Sequence, residues 1–224
     1  MDTLLRDVIR SLRNIHPARL IYSNILATLN NLTKDKWDRN YKSCSSDFPS
    51  PAEVLVQNQH LLPDSGTALD LACGRGANAI CLAENGLAVS AWDIAASALE
   101  SLSKKAKQQN LTINTETTDI TNDSLVTNTF DVIVVSRFLD RALISSIKNA
   151  IKTDGLIFYQ TFIRDKVDAT GPSNPDYLLD KNELLGFFKG WQIHFYREDG
   201  ITGDTAKGFR NQAMIVAQKP SLPL

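Results

Sequence analysis

The chain has 224 residues, 24 Lys and Arg against 25 Asp and Glu for a net charge of −1, and 43% hydrophobic residues. That is enough to fill the core of one α/β domain with an added segment. The near-neutral balance gives the chain no electrostatic reason to seek nucleic acid or an anionic membrane, and it favours a small-molecule partner. Apolar runs such as residues 132–135 fall far short of the roughly 18 residues that a membrane-spanning helix needs. Cys44, Cys73 and Cys81 cannot all pair with one another, which fits a reducing cytoplasm and no disulfide framework. No Cys/His cluster has metal-ligand spacing, so no metal is expected.

At the amino end, Arg6, Arg10, Arg13 and Arg19 alternate with Leu4, Leu5, Val8, Ile9, Leu12 and Ile15 at helical spacing, an amphipathic pattern. Asp2 and Asp7 argue against an acid-poor transit peptide and suit a helix amino terminus. Pro17 interrupts the pattern and residues 20–32 resume it. Residues 1–36 are therefore expected to form a helical extension and residues 37–220 the main domain. Ser50-Pro51-Ala52-Glu53 predicts a helix start, with Ser50 as cap, Pro51 in the first helical position and Glu53 reaching back; that helix should run to about His60.

From Thr67 onward, strand-like runs over 67–71, 88–92 and 112–117 alternate with helical stretches over 78–84 and 97–109. Residues 130–136 form an almost continuous apolar strand, as in a parallel sheet covered on both faces. A helix over 141–151 and a strand over 155–162 follow. Asp180 and Glu183 offer another capping box for a helix through Phe188, and residues 191–197 and 212–218 predict two closing strands.

The chemistry gathers at Asp70-Leu71-Ala72-Cys73-Gly74-Arg75-Gly76, where a carboxylate ends a buried strand and two glycines lead into a helix. Glycines there let backbone amides approach a ligand closely. Gly74-Arg75-Gly76-Ala77-Asn78-Ala79 also fits a dinucleotide fingerprint, so the glycines alone do not distinguish S-adenosylmethionine (SAM) from NAD. Asp70 favours SAM, because a strand-end carboxylate repels a pyrophosphate and attracts a sulfonium and an ammonium. Asp93, 23 residues further on, sits where a carboxylate accepts hydrogen bonds from ribose hydroxyls, and by itself fits either cofactor. Asp119 and Ile120 follow the third strand and offer an acceptor for an adenine amino group and an apolar contact for its ring. As turn residues, Asp and Gly also have a purely structural reading, which weighs most for Asp119.

The stretch from Asp70 to Gly76 resembles the first motif of class I SAM-dependent methyltransferases, Asp93 resembles their ribose-binding acid, and Phe130-Asp131-Val132-Ile133-Val134-Val135 their fourth strand. Trp37-Asp38-Arg39-Asn40-Tyr41 is similar to the segment preceding that motif in small tellurite-resistance-type and thiopurine-type methyltransferases. The resemblance implies a Rossmann-like, seven-stranded, mostly parallel sheet with an antiparallel last strand and helices on both faces. It implies SAM held by Asp70, Ala72, Gly74, Gly76, Asp93, Ile94, Asp119, Ile120, Ser136, Arg137, Trp37 and Tyr41, with Ser136-Arg137-Phe138 near the transferred methyl.

The recipient side is less defined. Tyr159, Gln160, Arg164 and the loop Gly171-Pro172-Ser173-Asn174-Pro175-Asp176-Tyr177 should lie above the carboxyl edge of the sheet, where substrates bind. Arg137, Tyr159 and Arg164 are the catalytic candidates. Arg137, Arg164, Arg197 and Arg210 would make an anion-accepting cluster, and of these Arg137 has positional support. His16, His60 and His194 are isolated and read as structural. Ser136-Arg137-Phe138-Leu139 lacks the Asn/Asp-Pro-Pro-Tyr/Phe signature of nucleic-acid amino methylation, and no cysteine follows the fourth or fifth strand. The expected activity is methylation of a small acceptor, a thiol or a chalcogen oxyanion. The alternatives are a protein or RNA methyltransferase using the basic amino-terminal helices, and a SAM-binding domain without catalysis.

Overall fold

The computed structural model describes residues 19–43 and 47–221. The helix expected over the first residues, with His16, lies outside them, as does Cys44. The second amphipathic stretch belongs to one continuous helix, α1 (Arg19–Lys42), which runs on through Trp37 and Tyr41. Among the described residues no helix is long and apolar enough to cross a membrane.

The strands are β1 (Thr67–Leu71), β2 (Ala88–Asp93), β3 (Ile113–Thr117), β4 (Phe130–Ser136), β5 (Ile151–Phe162), β6 (Gln192–Arg197) and β7 (Gln212–Gln218). They form one sheet in the order β3-β2-β1-β4-β5-β7-β6. The first five run parallel, and β7 lies antiparallel between β5 and β6. The expected sheet and its antiparallel last strand are both present.

Alternation along the strands sorts the core into two layers. Ala68, Val89, Ala91, Val132, Val134, Leu156, Phe158, Met214 and Val216 face one side. There they meet α2 (Glu53–Gln57), α3 (Ala77–Glu84) and α4 (Ala96–Gln108). Leu69, Leu71, Ile133, Val135, Ile157, Tyr159 and Ile215 face the other side, under α5 (Ile144–Ala150) and α6 (Glu183–Phe187). Residues 132–135 of β4 are fully buried on both faces, which explains their unbroken apolar sequence. The β3–β4 connection holds only the 3-10 turn Asn122–Ser124. On that side Phe130 meets Trp92 edge-on, with ring centroids 6.0 Å apart, and the two rings help cover the sheet near the missing helix.

Two predicted helix starts differ in detail. α2 begins at Glu53, after Ala52, with no side-chain cap. Its amino-terminal amides are taken by distant acceptors instead: Ala52 N–H donates to Asn78 Oδ1 at 2.7 Å and Val54 N–H to Gln160 Oε1 at 2.8 Å. Tertiary partners thus replace the Ser50 box, and the helix stops at Gln57. At α6 half of the box forms. Glu183 accepts from the Asp180 amide at 2.8 Å, while the Asp180 carboxylate turns away to pair with Arg164 at 2.7 Å.

Candidate active site

At the carboxyl edge the α3-facing layer changes from apolar to polar. Along β1, β4 and β5 the inward positions that carry Ala68, Val132, Val134 and Phe158 deeper down end in Asp70, Ser136 and Gln160. Ser136 and Gln160 are register partners. The strand ends therefore deliver a row of hydrogen-bonding groups beneath the turn into α3.

Asp70 is fully buried. Its Oδ2 accepts from the Ala79 amide at 3.0 Å and its Oδ1 faces Asn78 Nδ2 at 3.4 Å. Burial pushes the carboxyl up to about 7, against the downward pull of those two donors and with a small upward contribution from the Asp93 charge. Asp70 therefore underlies the glycine turn and ties the end of β1 to the start of α3.

Asp93 is 5% exposed and grips the turn from β2. Gly74 N–H donates to its Oδ2 at 2.7 Å and Ala95 N–H to its Oδ1 at 2.9 Å. Burial raises this carboxyl also, opposed by those amides. Each carboxylate oxygen keeps a lone pair after one such bond, so the group is oriented and retains acceptor capacity.

The two glycines do different work. Gly74 has φ 54°, and a Cβ there would lie 2.7 Å from the Tyr41 hydroxyl. Gly76 has φ 75°, and a Cβ there would lie 2.5 Å from Leu102 of α4. The first lets the Tyr41 hydroxyl of α1 approach the turn; the second lets α4 close against it. Ala72 also takes a left-handed φ of 54°, a conformation that costs about 1–2 kcal/mol without glycine. Cys73 is buried and its thiol is pushed well up by desolvation and by the Asp70 and Asp93 charges, which leaves it inert as a nucleophile.

The end of α1 covers this turn. Trp37 and Tyr41 stack with centroids 5.9 Å apart. Between them Asp38 accepts from the Ser97 amide at 2.9 Å and the Ser97 hydroxyl at 2.7 Å, anchoring α1 to the start of α4. Those bonds hold the Asp38 carboxyl below its ordinary value. Asp119 and Ile120 follow β3, half-buried; Thr118 N–H donates to the Asp93 carbonyl at 3.0 Å, and Ile120 packs toward the α5-side layer.

On the recipient side the structure separates the candidates. Tyr159 is fully buried in the layer beneath the sheet, and its hydroxyl donates to the Phe138 carbonyl at 3.0 Å; burial pushes the phenol pKa up, so it is a weaker acid than an ordinary tyrosine. It is therefore corrected from a catalytic candidate to a core residue. Gln160 is buried, with Nε2 donating to Gln212 Oε1 at 2.9 Å, so it braces α2 against the sheet. Arg164 pairs with Asp180 on an exposed edge, beside a hollow of about 370 Å³ lined also by Asp165, Lys181 and Glu198. Arg197 pairs with Asp199 at 2.8 Å. Arg210 donates to the carbonyls of Gly200, Thr202 and Asp204 at 2.8–3.0 Å. The loop around Gly171 is ordered from within: Lys166 Nζ donates to the Thr170 and Pro172 carbonyls at 3.0 and 2.9 Å, and Arg141 donates to the Asp176 carbonyl at 2.7 Å.

Arg137 stands apart. It is exposed at the end of β4 with φ 53°, its amide donates to the Gln160 carbonyl at 2.8 Å, and among the described residues its guanidinium has no hydrogen bond or ion pair. A strained backbone at a strand end is characteristic of functional positions. Asn78, which sequence reasoning treated only as a helix residue, proves central. It is a buried amide among the apolar residues 77–83 of α3, bonded to Asp70, Ser136 and Ala52. Its polarity within an apolar helix was the available signal.

Comparison with known proteins adds the family. The tellurite resistance protein TehB family matches residues 35–215. The chain belongs to the TehB family. The TehB-family match spans the first six strands, the start of β7 and the end of α1 that carries Trp37 and Tyr41. In the crystal structure of TehB from Haemophilus influenzae, 24% identity extends over 83% of this chain and 66% of that one, with a TM-score of 0.60. A putative S-adenosylmethionine-dependent methyltransferase structure from Listeria monocytogenes aligns over 75% of this chain and 97% of its own, with 16% identity and a TM-score of 0.56. A ubiquinone biosynthesis O-methyltransferase from Coxiella burnetii is 26% identical over 145 residues. The chain spans 62% of the length of that relative.

Proposed function

We propose that this TehB-family protein is a methyltransferase that takes its methyl group from SAM and delivers it to a small acceptor arriving as an anion, a thiolate or a chalcogen oxyanion. The observation that carries the cofactor half is Asp93, a carboxylate oriented by the Gly74 and Ala95 amides beside a turn whose Gly74 lets Tyr41 of α1 close over it. The residues present fit the cofactor. Asp93 would take its ribose hydroxyls, the Gly74 turn its methionine end, and Asp119 with Ile120 its adenine, while Trp37 and Tyr41 of α1 cover it. When bound, SAM supplies an electrophilic methyl on a sulfonium, and the protein's task is to align the acceptor and exclude water.

The acceptor half rests on Arg137, whose guanidinium has no partner among the described residues; at the end of β4 an anion would be recognised by charge-assisted hydrogen bonds. An acceptor that arrives ionised needs no base. The two described histidines lie elsewhere: His194 bonds Gln218 at 3.0 Å on the β6–β7 edge, and His60 is exposed in the turn Gln59–Leu61. The tellurite-resistance description of the family and the O-methyltransferase relative support an oxygen- or chalcogen-centred acceptor.

Calorimetry tests the cofactor half. Asp93→Ala should weaken SAM binding by about a hundredfold or more, because the group that aligns the turn and accepts the hydroxyls is gone; unchanged affinity would overturn the assignment. A screen of thiols, chalcogen oxyanions, amines and carboxylates, scored by S-adenosylhomocysteine release, tests the acceptor half. Turnover confined to amines would refute the anion reading.

A further inference from the structure

Asn78 joins three separate parts of the molecule with one side chain. Its Oδ1 accepts from the Ala52 amide at 2.7 Å, and its Nδ2 donates to Ser136 Oγ at 3.0 Å and faces Asp70 Oδ1 at 3.4 Å. The backbone N–H of Ala52 can only donate, so it fixes which end of the Asn78 amide faces it. The NH2 group must then point into the sheet, at Asp70. The seating of Ala52 and α2 on the carboxyl edge thereby decides whether Asp70 has a donor on its second oxygen.

We propose that Asn78 is a positioning residue which, oriented by the Ala52 amide, keeps Asp70 ionised beneath the glycine turn and so sets the pH below which SAM is lost. The inference rests on the SAM reading above. Among the described residues no other group donates to that oxygen. Ala79 serves Oδ2; Asp93 on β2, the charge whose field reaches it, disfavours ionisation; and Cys73 in the turn is a neutral thiol. Burial carries the carboxyl up to about 7, so the loss of one donor falls in the range where the group changes charge. A cationic ligand binds more tightly over a carboxylate than over a carboxylic acid.

The test is calorimetric titration of SAM into the native chain and three variants between pH 5.5 and 8.5, reading the midpoint of the acidic loss of affinity. Asn78→Ala should raise that midpoint by about half to one pH unit. Asn78→Asp, close to isosteric and therefore informative even if the alanine variant fails to fold, should raise it further by placing a second carboxyl beside Asp70. Tyr159→Phe, which removes one hydrogen bond on the opposite face of the sheet and touches neither α2 nor Asp70, should lower thermal stability and leave the midpoint in place. In the ligand-free protein, the infrared C=O stretch of protonated Asp70, read against an Asp70→Asn blank, should show the same shifts. A common midpoint in all four proteins would overturn the proposal, as would an equal shift in Tyr159→Phe. Absence of SAM binding by the native chain at every pH would overturn the cofactor reading and this inference with it; a pH-dependent affinity that the Asn78 variants leave unmoved would sink only the inference.

Discussion

The two halves of the carboxyl edge are built differently. Around β1 and β2 the holding groups are buried carboxylates receiving backbone amides: Asp93 takes those of Gly74 and Ala95, and Asp70 that of Ala79. Around β5, β6 and β7 the loops are held by half-exposed ion pairs and by arginines donating to carbonyls, as Arg141 does to Asp176 and Leu178 and Arg210 to Gly200 and Thr202. The first arrangement is rigid because every partner is buried and local. In the second, each surface ion pair contributes about 0–1 kcal/mol, and the loops are free to differ among proteins that share the sheet. Under the proposed function, that contrast gives a fixed donor site and an adjustable recipient site.

The largest expected effect tests the rigid half. Gly76→Ala places a methyl 2.5 Å from Leu102 at φ 75°, which should destabilise the protein by about 2–4 kcal/mol in denaturant unfolding, from the left-handed backbone and the overpacking together. A loss below about 1 kcal/mol would mean that α4 yields easily and that the rigidity is overstated.

Next is the pH dependence of stability. Asp70 titrates at about 7 in the folded chain against an ordinary 3.8, so between about pH 4 and 7 the folded state retains a proton that the unfolded state has released. Stability therefore falls as pH rises through that window and this contribution is constant above it; Asp93, also raised, acts with the same sign. The span is on the order of a few kcal/mol. Asp70→Asn should flatten the decline of melting temperature between about pH 5 and 7, and an unaltered slope would place the titration elsewhere.

These contrasts also explain what was legible beforehand. The limits of β1, β4 and β7 could be read to the residue, because their periodicity reports burial on a parallel or antiparallel sheet. Asp70, Gly74, Gly76 and Asp93 were legible because a turn between adjacent elements leaves a local signature. The cap of α2 was not, since its acceptors Asn78 and Gln160 come from 26 and 106 residues away and no local pattern encodes them. The same holds for the arginines. Of Arg137, Arg164, Arg197 and Arg210, three are occupied by Asp180, Asp199 and loop carbonyls, which only the folded loops reveal. Tyr159 failed by one position of strand alternation: Gln160, its neighbour, faces the α3 side.

A smaller effect is expected in the adjustable half. Arg137→Ala should raise KM for an anionic acceptor about tenfold, the worth of one charge-assisted bond, with SAM affinity within about threefold. Arg164→Ala should change KM less than about twofold, because its guanidinium is engaged by Asp180 on the surface. Steady-state kinetics with saturating SAM reads both. Equal losses in the two variants would show that the recipient site reaches further along the sheet, over the loops after β5.

The smallest effect separates the two faces of the sheet. Tyr159 and Gln160 are consecutive on β5, yet one bonds the Phe138 carbonyl beneath the sheet and the other the Val54 amide above it. Tyr159→Phe removes a single hydroxyl and leaves the ring against Phe188, with centroids 6.5 Å apart. The Phe138 carbonyl loses one donor, and the expected cost is about 0.5–1.5 kcal/mol of unfolding free energy. Because the hydroxyl lies on the α5 and α6 side, kcat and KM should both match the native chain. A fall in kcat with unchanged KM would require Phe138 to transmit the loss to its neighbour Arg137, and would join the lower face to the recipient site. Unchanged kinetics with reduced stability would confine the chemistry to the α3 side, where β1, β4 and β5 end in Asp70, Ser136 and Gln160.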